Sequence, residues 1–198
     1  MKTIDDFNFE DKKALVRVDF NVPLNENLEV TDLTRIEAAK PTIVKILEDG
    51  GSAVLMSHLG RPSGPEEKFS LKNIVDAASD VIGVQVKFVG DCVGEEVQQA
   101  VADLQNGEVL LLENLRFHKE EKAGDKDFAA ELAKNGDIYV NDAFGTSHRA
   151  HASLVGVEKF LPSVAGLLLE KEVESLGQIL ENPPRPFCIV TGGAKVSD

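Results

Sequence analysis

Four short polar clusters hold most of the side chains in this sequence that could do chemistry. Asp19 and Asn21 sit in DFN, and His58 and Arg61 in SHLGRP. Asn114, Arg116 and His118 sit in ENLRFH, and Asn141, Asp142, His148, Arg149 and His151 in NDAFGTSHRAH. With Arg35, these clusters take in four of the six arginines and all four histidines of the chain. An arginine fork makes paired, charge-assisted hydrogen bonds to phosphate or carboxylate. Each such bond contributes roughly 1.5–3 kcal/mol net, so several converging on one anion outweigh an opposing long-range field. That field exists here: the formal net charge is −13. A chain this acidic is a poor general binder of nucleic acid or anionic membrane, so no partner of either kind is expected.

Each cluster also has a plainer reading. Asp19 and Asn21 would serve as turn caps before Pro23, and His58 at a strand end would serve as a structural residue. HRAH places two histidines three apart, as in a helical metal pair, but no cysteine or acidic ligand lies at matching spacing, so no metal is expected there. TGGAKVS is a glycine turn with a lysine, suited to phosphate but without the GxxxxGK[ST] spacing. Arg17 is expected in a structural ion pair, Arg185 in solvent, and the charge run from Lys119 to Lys122 on a solvated face.

The elements that position these clusters follow from hydrophobic periodicity. Apolar, β-branched runs predict strands at Ala14–Val22, Ser52–Ser57, Val84–Val89, Val109–Leu112, Ile138–Val140 and Phe187–Val190. Helical spacing predicts helices at Arg35–Leu47, Lys72–Ile82, Glu95–Leu104 and Lys126–Ala133. Pro41 should kink the first or divide it, with Asp32 or Thr34 as its cap. Val164–Leu180 reads as one long helix. Strand–helix alternation at this spacing implies right-handed βαβ units and a parallel sheet covered on both faces. The fold class is therefore α/β, a three-layer α/β/α Rossmann-like domain with a parallel sheet of about six strands, plus a long C-terminal interdomain helix. In such sheets ligands bind beyond the carboxyl ends of the strands, where all four clusters fall. The first strand poses a question, because in ALVRVDFNVP one alternating set is apolar and the other is Arg17, Asp19 and Asn21. Central parallel strands are usually apolar on both faces.

Composition adds bounds. The 198 residues are 42% apolar and 28% charged, an ordinary balance for a soluble globular protein with a sizeable core. No apolar run is long enough to span a bilayer. The N-terminus is too polar for a secretory signal. Cys92 and Cys188 are expected to be reduced thiols in a cytoplasmic protein.

The blocks RVDFNVP, TRI, SHLGRP, ENLRF, NDAFGTSHRAHAS and GGAKVSD, in this order, resemble phosphoglycerate kinase from Val16 to the last residue. The resemblance implies a glycolytic kinase that moves a phosphoryl group reversibly from 1,3-bisphosphoglycerate to ADP, giving 3-phosphoglycerate and ATP. It implies two Rossmann-like domains, one for the glycerate and one for Mg-ATP or Mg-ADP, brought together by hinge closure. Residues 1–163 would be the glycerate domain, 164–185 an interdomain helix and linker, and 186–198 the first strand and glycine turn of the nucleotide domain. By the same resemblance Asp19 and Asn21 would hydrogen-bond the glycerate hydroxyl and carboxylate end. His58, Arg61, Arg116 and Arg149 would hold the far phosphate. Phe20, Leu59 and Gly60 lie in the same binding segments. Arg35 would reach the phosphoryl group in flight, and Lys195 would reach it, with the nucleotide phosphates, from the other domain.

At about half the family's length the chain is expected to be a truncated portion that keeps a glycerate site, lacks the metal and adenine sites, and does not turn over alone. The alternative is a stand-alone module for phosphorylated acids, or one half of a split enzyme. The full-length protein is expected to be a monomer, whereas this chain would associate through the apolar strand near its C-terminus.

Overall fold

The computed structural model describes residues 2–190. Six strands form one sheet: β1 (Lys13–Arg17), β2 (Ser52–Met56), β3 (Val86–Phe88), β4 (Val109–Leu111), β5 (Ile138–Asn141) and β6 (Ser163–Ala165). Their order is β3-β4-β2-β1-β5-β6, and every neighbouring pair is parallel. The helices are α1 (Thr34–Glu48), α2 (Val75–Ile82), α3 (Glu95–Ala102), α4 (Lys119–Ala123), α5 (Lys126–Ala133) and α6 (Leu167–Glu181). No helix among the described residues is long and apolar enough to cross a membrane.

Strand pleating divides the apolar residues between two cores. Ala14, Val16, Ala53, Leu55, Val109, Leu111, Ile138 and Val140 face one core, closed by Ile36, Ile43 and Ile46 of α1 and Ala78 and Ile82 of α2. Leu15, Val54, Met56, Leu110 and Tyr139 face the other, closed by Val97 and Val101 of α3 and Phe128 and Leu132 of α5. This is the three-layer parallel architecture the sequence predicts. β1 connects to β2 on one side, and β5, its other neighbour, connects to β6 on the opposite side. The exits of β1 and β5 therefore diverge and leave a crevice between them.

Several boundaries differ from expectation. The first strand stops at Arg17, because beyond it the partners are no longer a backbone ladder. The N–H of Phe20 donates instead to Ser57 Oγ at 2.9 Å. The alternation continues in extended chain: Val18, Phe20 and Val22 are buried in the first core, while Arg17, Asp19 and Asn21 alternate with them and make polar contacts with Ser153, Arg35 and Gly60. Pro41 does not divide α1, which runs through it as one helix. Pro41 and Glu37, whose carbonyl loses its partner, are both on the exposed face, so the missing bond is open to solvent. Neither Asp32 nor Thr34 is the N-cap, which is Leu33, although Asp32 Oδ1 accepts from the Thr34 N–H at 2.8 Å. The segment Leu71–Ile74 is a 3-10 turn ahead of α2. The run read as one helix from Val164 divides, because Val164 and Ala165 pair with Val140 and Asn141 at the sheet edge before α6 begins. Phe187–Val190 forms no strand among the described residues and has no sheet neighbour there; Ile189 and Val190 are exposed. Both thiols are free, Cys92 buried and Cys188 exposed. Lys195 and the rest of the glycine turn lie outside the described residues.

Candidate functional site

The crevice between β1 and β5 opens into a cavity of about 280 Å³ lined by Asp19, Thr34, Arg35, Asp142, Phe144 and Gly145 among others. Asp19 leaves the end of β1 and Arg35 enters on the first turn of α1, and the two form an ion pair through Asp19 Oδ2. The other carboxylate oxygen, Oδ1, is buried without a hydrogen-bond partner. It lies 3.8 Å from His58 Nδ1. A second cavity, of about 270 Å³, is lined by Arg61, Arg116, Lys122, Arg149 and His151. These five come from three strand-exit loops and α4, and all are cations or imidazoles. Of the expected site residues, Asp19 and Arg35 line the first hollow, Arg61, Arg116 and Arg149 the second, and Asn21, Leu59 and Gly60 a third.

A buried polar chain backs the site. Arg17 is 1% exposed. Its Nε donates to Ser153 Oγ at 3.1 Å, Nη2 to His58 Nδ1 at 3.2 Å, and Nη1 to its neighbour's carbonyl on Val18. Ser153 in turn donates its Oγ–H to Glu121 Oε1 at 2.6 Å and its N–H to Oε2 at 2.9 Å. Glu121 also lies 3.6 Å from His151 Nδ1. The ion pair expected for Arg17 is thus indirect, relayed by the Ser153 hydroxyl. Glu121 is buried, not on a solvated face as its charge run suggests. Burial alone would raise its carboxyl, but His151, Arg17 and Ser153 outweigh that and hold it below the usual range.

Arginine has no acceptor, so His58 Nδ1 must accept and the proton of the neutral ring sits on Nε2. Burial pushes the His58 pKa down to about 2, helped by Arg17, Arg116 and Arg149. His58 is therefore a neutral donor, held in one tautomer. Burial also lowers the Arg116 pKa, and Arg149, Arg17 and Arg61 lower it further, with Glu121 opposing. Guanidinium stays charged throughout the working range. Each arginine thus sits in the repulsive field of its neighbours, a cost that a bound anion relieves.

Three loops are tied so that this geometry holds. Asn21 Oδ1 accepts from the Gly60 N–H at 2.8 Å, and the Gly60 carbonyl accepts from Arg116 Nη1 at 2.6 Å. Gly60 has φ +65°, and a Cβ there would lie 2.4 Å from Phe69 Cε1. Only glycine satisfies both demands. Asn114 donates to the carbonyls of Leu59 and Phe69, each at 2.8 Å, and accepts from the Arg116 N–H at 3.0 Å. Arg116 Nε remains buried and without a partner. Phe20 and Leu59, expected in the binding segments, are core residues. Their side chains fill the first core, and the Phe20 N–H and Leu59 carbonyl already have partners. Asn21 likewise uses its oxygen to brace Gly60 and keeps its amide N–H groups as donors.

The loop after β5 closes the site. Phe144–Thr146 forms a 3-10 turn, and Ala152–Gly156 a π turn, that carry Arg149 and His151 between them. Arg149 Nε contacts exposed His148 Nε2 at 3.3 Å. Asp142 accepts at Oδ1 from the N–H groups of Leu168 and Leu169, at 3.0 and 3.3 Å, so it holds the start of α6. A Cβ on Gly166 would lie 2.3 Å from that oxygen. Burial pushes the Asp142 carboxyl up to about 6, and those N–H groups and Thr42 offset it only in part.

Asp19, Arg35, His58, Arg61, Arg116 and Arg149 were legible as candidates from type and loop position. Glu121, Ser153, Lys122 and the anchor role of Asp142 were not singled out. HRAHAS carried Ser153 in plain view, but nothing local marks it as buried.

The family model described as "Phosphoglycerate kinase" matches residues 4–198. The phosphoglycerate kinase of Borrelia hermsii (strain HS1 / DAH) is 54% identical over 198 residues, which is 100% of this chain and 50% of that protein. That of Chlorobium limicola (strain DSM 245 / NBRC 103803 / 6330) is 54% identical over 198 residues, 99% of this chain and 50% of that protein. Among solved structures, the phosphoglycerate kinase of Pyrococcus horikoshii OT3 superposes with a TM-score of 0.86 at 32% identity, covering 94% of this chain and 47% of that one. The enzyme from Coxiella burnetii gives 0.82 at 35% identity, covering 93% and 46%. The chain spans about half the length of the curated relatives it matches.

Proposed function

Because the chain belongs to the phosphoglycerate kinase family, we propose that the first two hollows bind the two ends of a phosphorylated glycerate. The reaction served is reversible phosphoryl transfer between 1,3-bisphosphoglycerate and ADP, giving 3-phosphoglycerate and ATP. The observation that carries the reading is the basic cavity, where Arg61, Arg116, Lys122, Arg149 and His151 converge in a molecule of net charge −13. A phosphate supplies the negative charge and acceptor oxygens that this cluster lacks. The unpartnered Nε of Arg116 is one donor facing that demand.

At the other end, the partnerless Asp19 Oδ1 suits a substrate hydroxyl, and Arg35 suits the carboxylate or acyl phosphate. The His58 Nε2–H adds a neutral donor. In-line phosphoryl transfer asks for positioning and neutralised charge more than covalent help. A carboxylate is already a competent nucleophile, so these residues bind and orient and none need act as a general base. Asn21, Gly60 and Asn114 are positioning residues in this scheme, while Phe20 and Leu59 support the loops from the core.

Mg-ATP or Mg-ADP would supply or accept the phosphoryl group. Magnesium takes oxygen ligands. Among the described residues the single converging group of metal-ligating side chains is Asp91, Cys92 and His118, which includes sulfur and nitrogen and does not fit it. The reading therefore assigns the metal and adenine to the half of the family's length that this chain does not span, and gives Lys195, by the resemblance, a role with the nucleotide phosphates. Residues 1–163 would form the glycerate domain, 164–185 the interdomain helix and linker, and 186–198 the start of the nucleotide domain. The chain would be cytoplasmic and would not turn over alone.

Titration calorimetry of the chain tests this. It should bind 3-phosphoglycerate weakly and ATP not at all. Arg61→Ala and Arg149→Ala should each weaken the first by about 1.5 kcal/mol or more, roughly tenfold. ATP affinity, kinase turnover without added protein, or unchanged affinity in both variants would overturn it.

A further inference from the structure

We propose that Asp91, Cys92 and His118 form a binding site for a thiophilic divalent cation of the zinc class, in the loops that leave β3 and β4. The inference stands apart from the glycerate reading, and none of its three ligands belongs to that reading. β3 and β4 are adjacent parallel strands, so their exits emerge side by side. One ligand atom from each of the three residues lies within 4.8 Å of the others. The Cys92 side chain is buried and forms the floor, while the Asp91 and His118 side chains, 48% and 29% exposed, form an open mouth.

The geometry is close to a tetrahedral site. With Zn–N near 2.0 Å and Zn–S near 2.3 Å, tetrahedral angles separate the nitrogen and sulfur by about 3.5 Å, and nitrogen and oxygen by about 3.3 Å. His118 Nε2 now lies 2.7 Å from Asp91 Oδ1. Shifts of about 1 Å in side chains therefore suffice, and solvent at the mouth supplies a fourth ligand. Neighbouring contacts also hold the three residues in place. The His118 ring stacks on Phe128 with centroids 5.1 Å apart. Asp91 Oδ1 accepts from the Cys92 N–H at 2.6 Å, and Asn135 Nδ2 donates to the Cys92 carbonyl at 2.9 Å.

The donor set and its surroundings select the ion. One sulfur, one imidazole nitrogen and one carboxylate oxygen form a mixed set that suits zinc better than an oxygen-seeking cation. Coordination forms the metal–sulfur bond and releases the thiol proton to solvent. On the other side His118 lines a cavity with Arg116, Lys119 and Lys122. Those charges oppose hard ions held by charge alone. They leave an advantage to ions that bond strongly to sulfur and imidazole.

Cobalt(II) is the spectroscopic probe. Adding it to the chain should produce a thiolate-to-cobalt band in the near ultraviolet and the intense visible bands of tetrahedral cobalt. Zinc should bleach both, and excess magnesium should leave them unchanged. Cys92→Ser should abolish the thiolate band, His118→Gln should weaken cobalt binding at least tenfold, and Cys188→Ser should change nothing. His118→Gln is a partly exposed replacement, so it decides the matter even if Cys92→Ser disturbs the core. An absent thiolate band in the parent chain, a band that survives Cys92→Ser, unaltered affinity in His118→Gln, or competition by magnesium would each overturn the proposal.

Discussion

The substitution Asp142→Asn should remove one titration and leave the local geometry nearly intact. The amide side chain would still offer an Oδ1 acceptor to the N–H groups of Leu168 and Leu169, which now bond Asp142 at 3.0 and 3.3 Å. In the parent chain burial moves this carboxyl from 3.8 to about 6. A raised acid binds its proton more tightly in the folded state. Its stabilising contribution is fully present below about pH 4 and is lost as pH rises through about 6. Two pH units correspond to about 3 kcal/mol. His58 acts in the opposite direction. Its pKa is depressed from 6.5 to about 2, so its contribution is present above 6.5 and is lost as pH falls. Between about pH 4 and 6 the unfolded chain holds a proton on His58 and the folded chain holds one on Asp142. The two slopes then cancel. Asp142→Asn should expose the His58 slope, up to about 1.4 kcal/mol per pH unit. Urea unfolding followed by circular dichroism at several pH values gives the free energies. The variant minus parent difference should rise by up to about 3 kcal/mol from about pH 4 to about pH 7. A difference that stays constant across that range would refute the reasoning.

Glu121→Gln should cost about 1–3 kcal/mol in the same unfolding assay, because the new amide faces donors at Ser153 and removes the negative charge that stabilises buried Arg17. A neutral outcome would mean that the Arg17–Ser153–Glu121 chain is not a stability element. Gly60→Ala should cost about 1–3 kcal/mol from the left-handed backbone alone, with more from the Phe69 contact. It should also weaken 3-phosphoglycerate binding by loosening Arg116, which calorimetry reads directly; unchanged affinity would show that the Gly60 tie does not position Arg116. Asn21→Ala should loosen the same tie while leaving Arg61 and Arg149 in place. It should therefore lower affinity less than either arginine variant does, and an equal or larger loss would give Asn21 a direct contact.

Much of the architecture was legible because its signals are local. Apolar strands two-sided in sequence, helical stripes between them, and polar clusters at each strand exit together imply a covered parallel sheet with a site at its carboxyl edge. The family blocks RVDFNVP, SHLGRP, ENLRF and NDAFGTSHRAHAS are equally local, and they placed Arg61, Arg116 and Arg149 in one group. Strand ends were less legible. β6 has only three residues and is a strand because β5 offers it an edge. The run Val18–Val22 alternates like a strand but leaves the ladder, because side chains and turns replace its strand partners.

By itself the sequence determined the layers, the family resemblance and the identity of the cations, since periodicity and residue type are written along the chain. The tertiary structure alone decided which of those groups share a hollow and which are buried. Glu121 sits in a run of charges that reads as solvated, yet it becomes the counter-charge behind Arg17, because the turn carrying Ser153 folds across it. Asp142 reads as one more polar loop residue, yet burial raises its carboxyl while the N–H groups at the start of α6 offset part of that rise. Asp91, Cys92 and His118 meet only because β3 and β4 lie side by side. Burial and field depend on distances between residues far apart in the chain, and those distances exist only once the sheet has assembled.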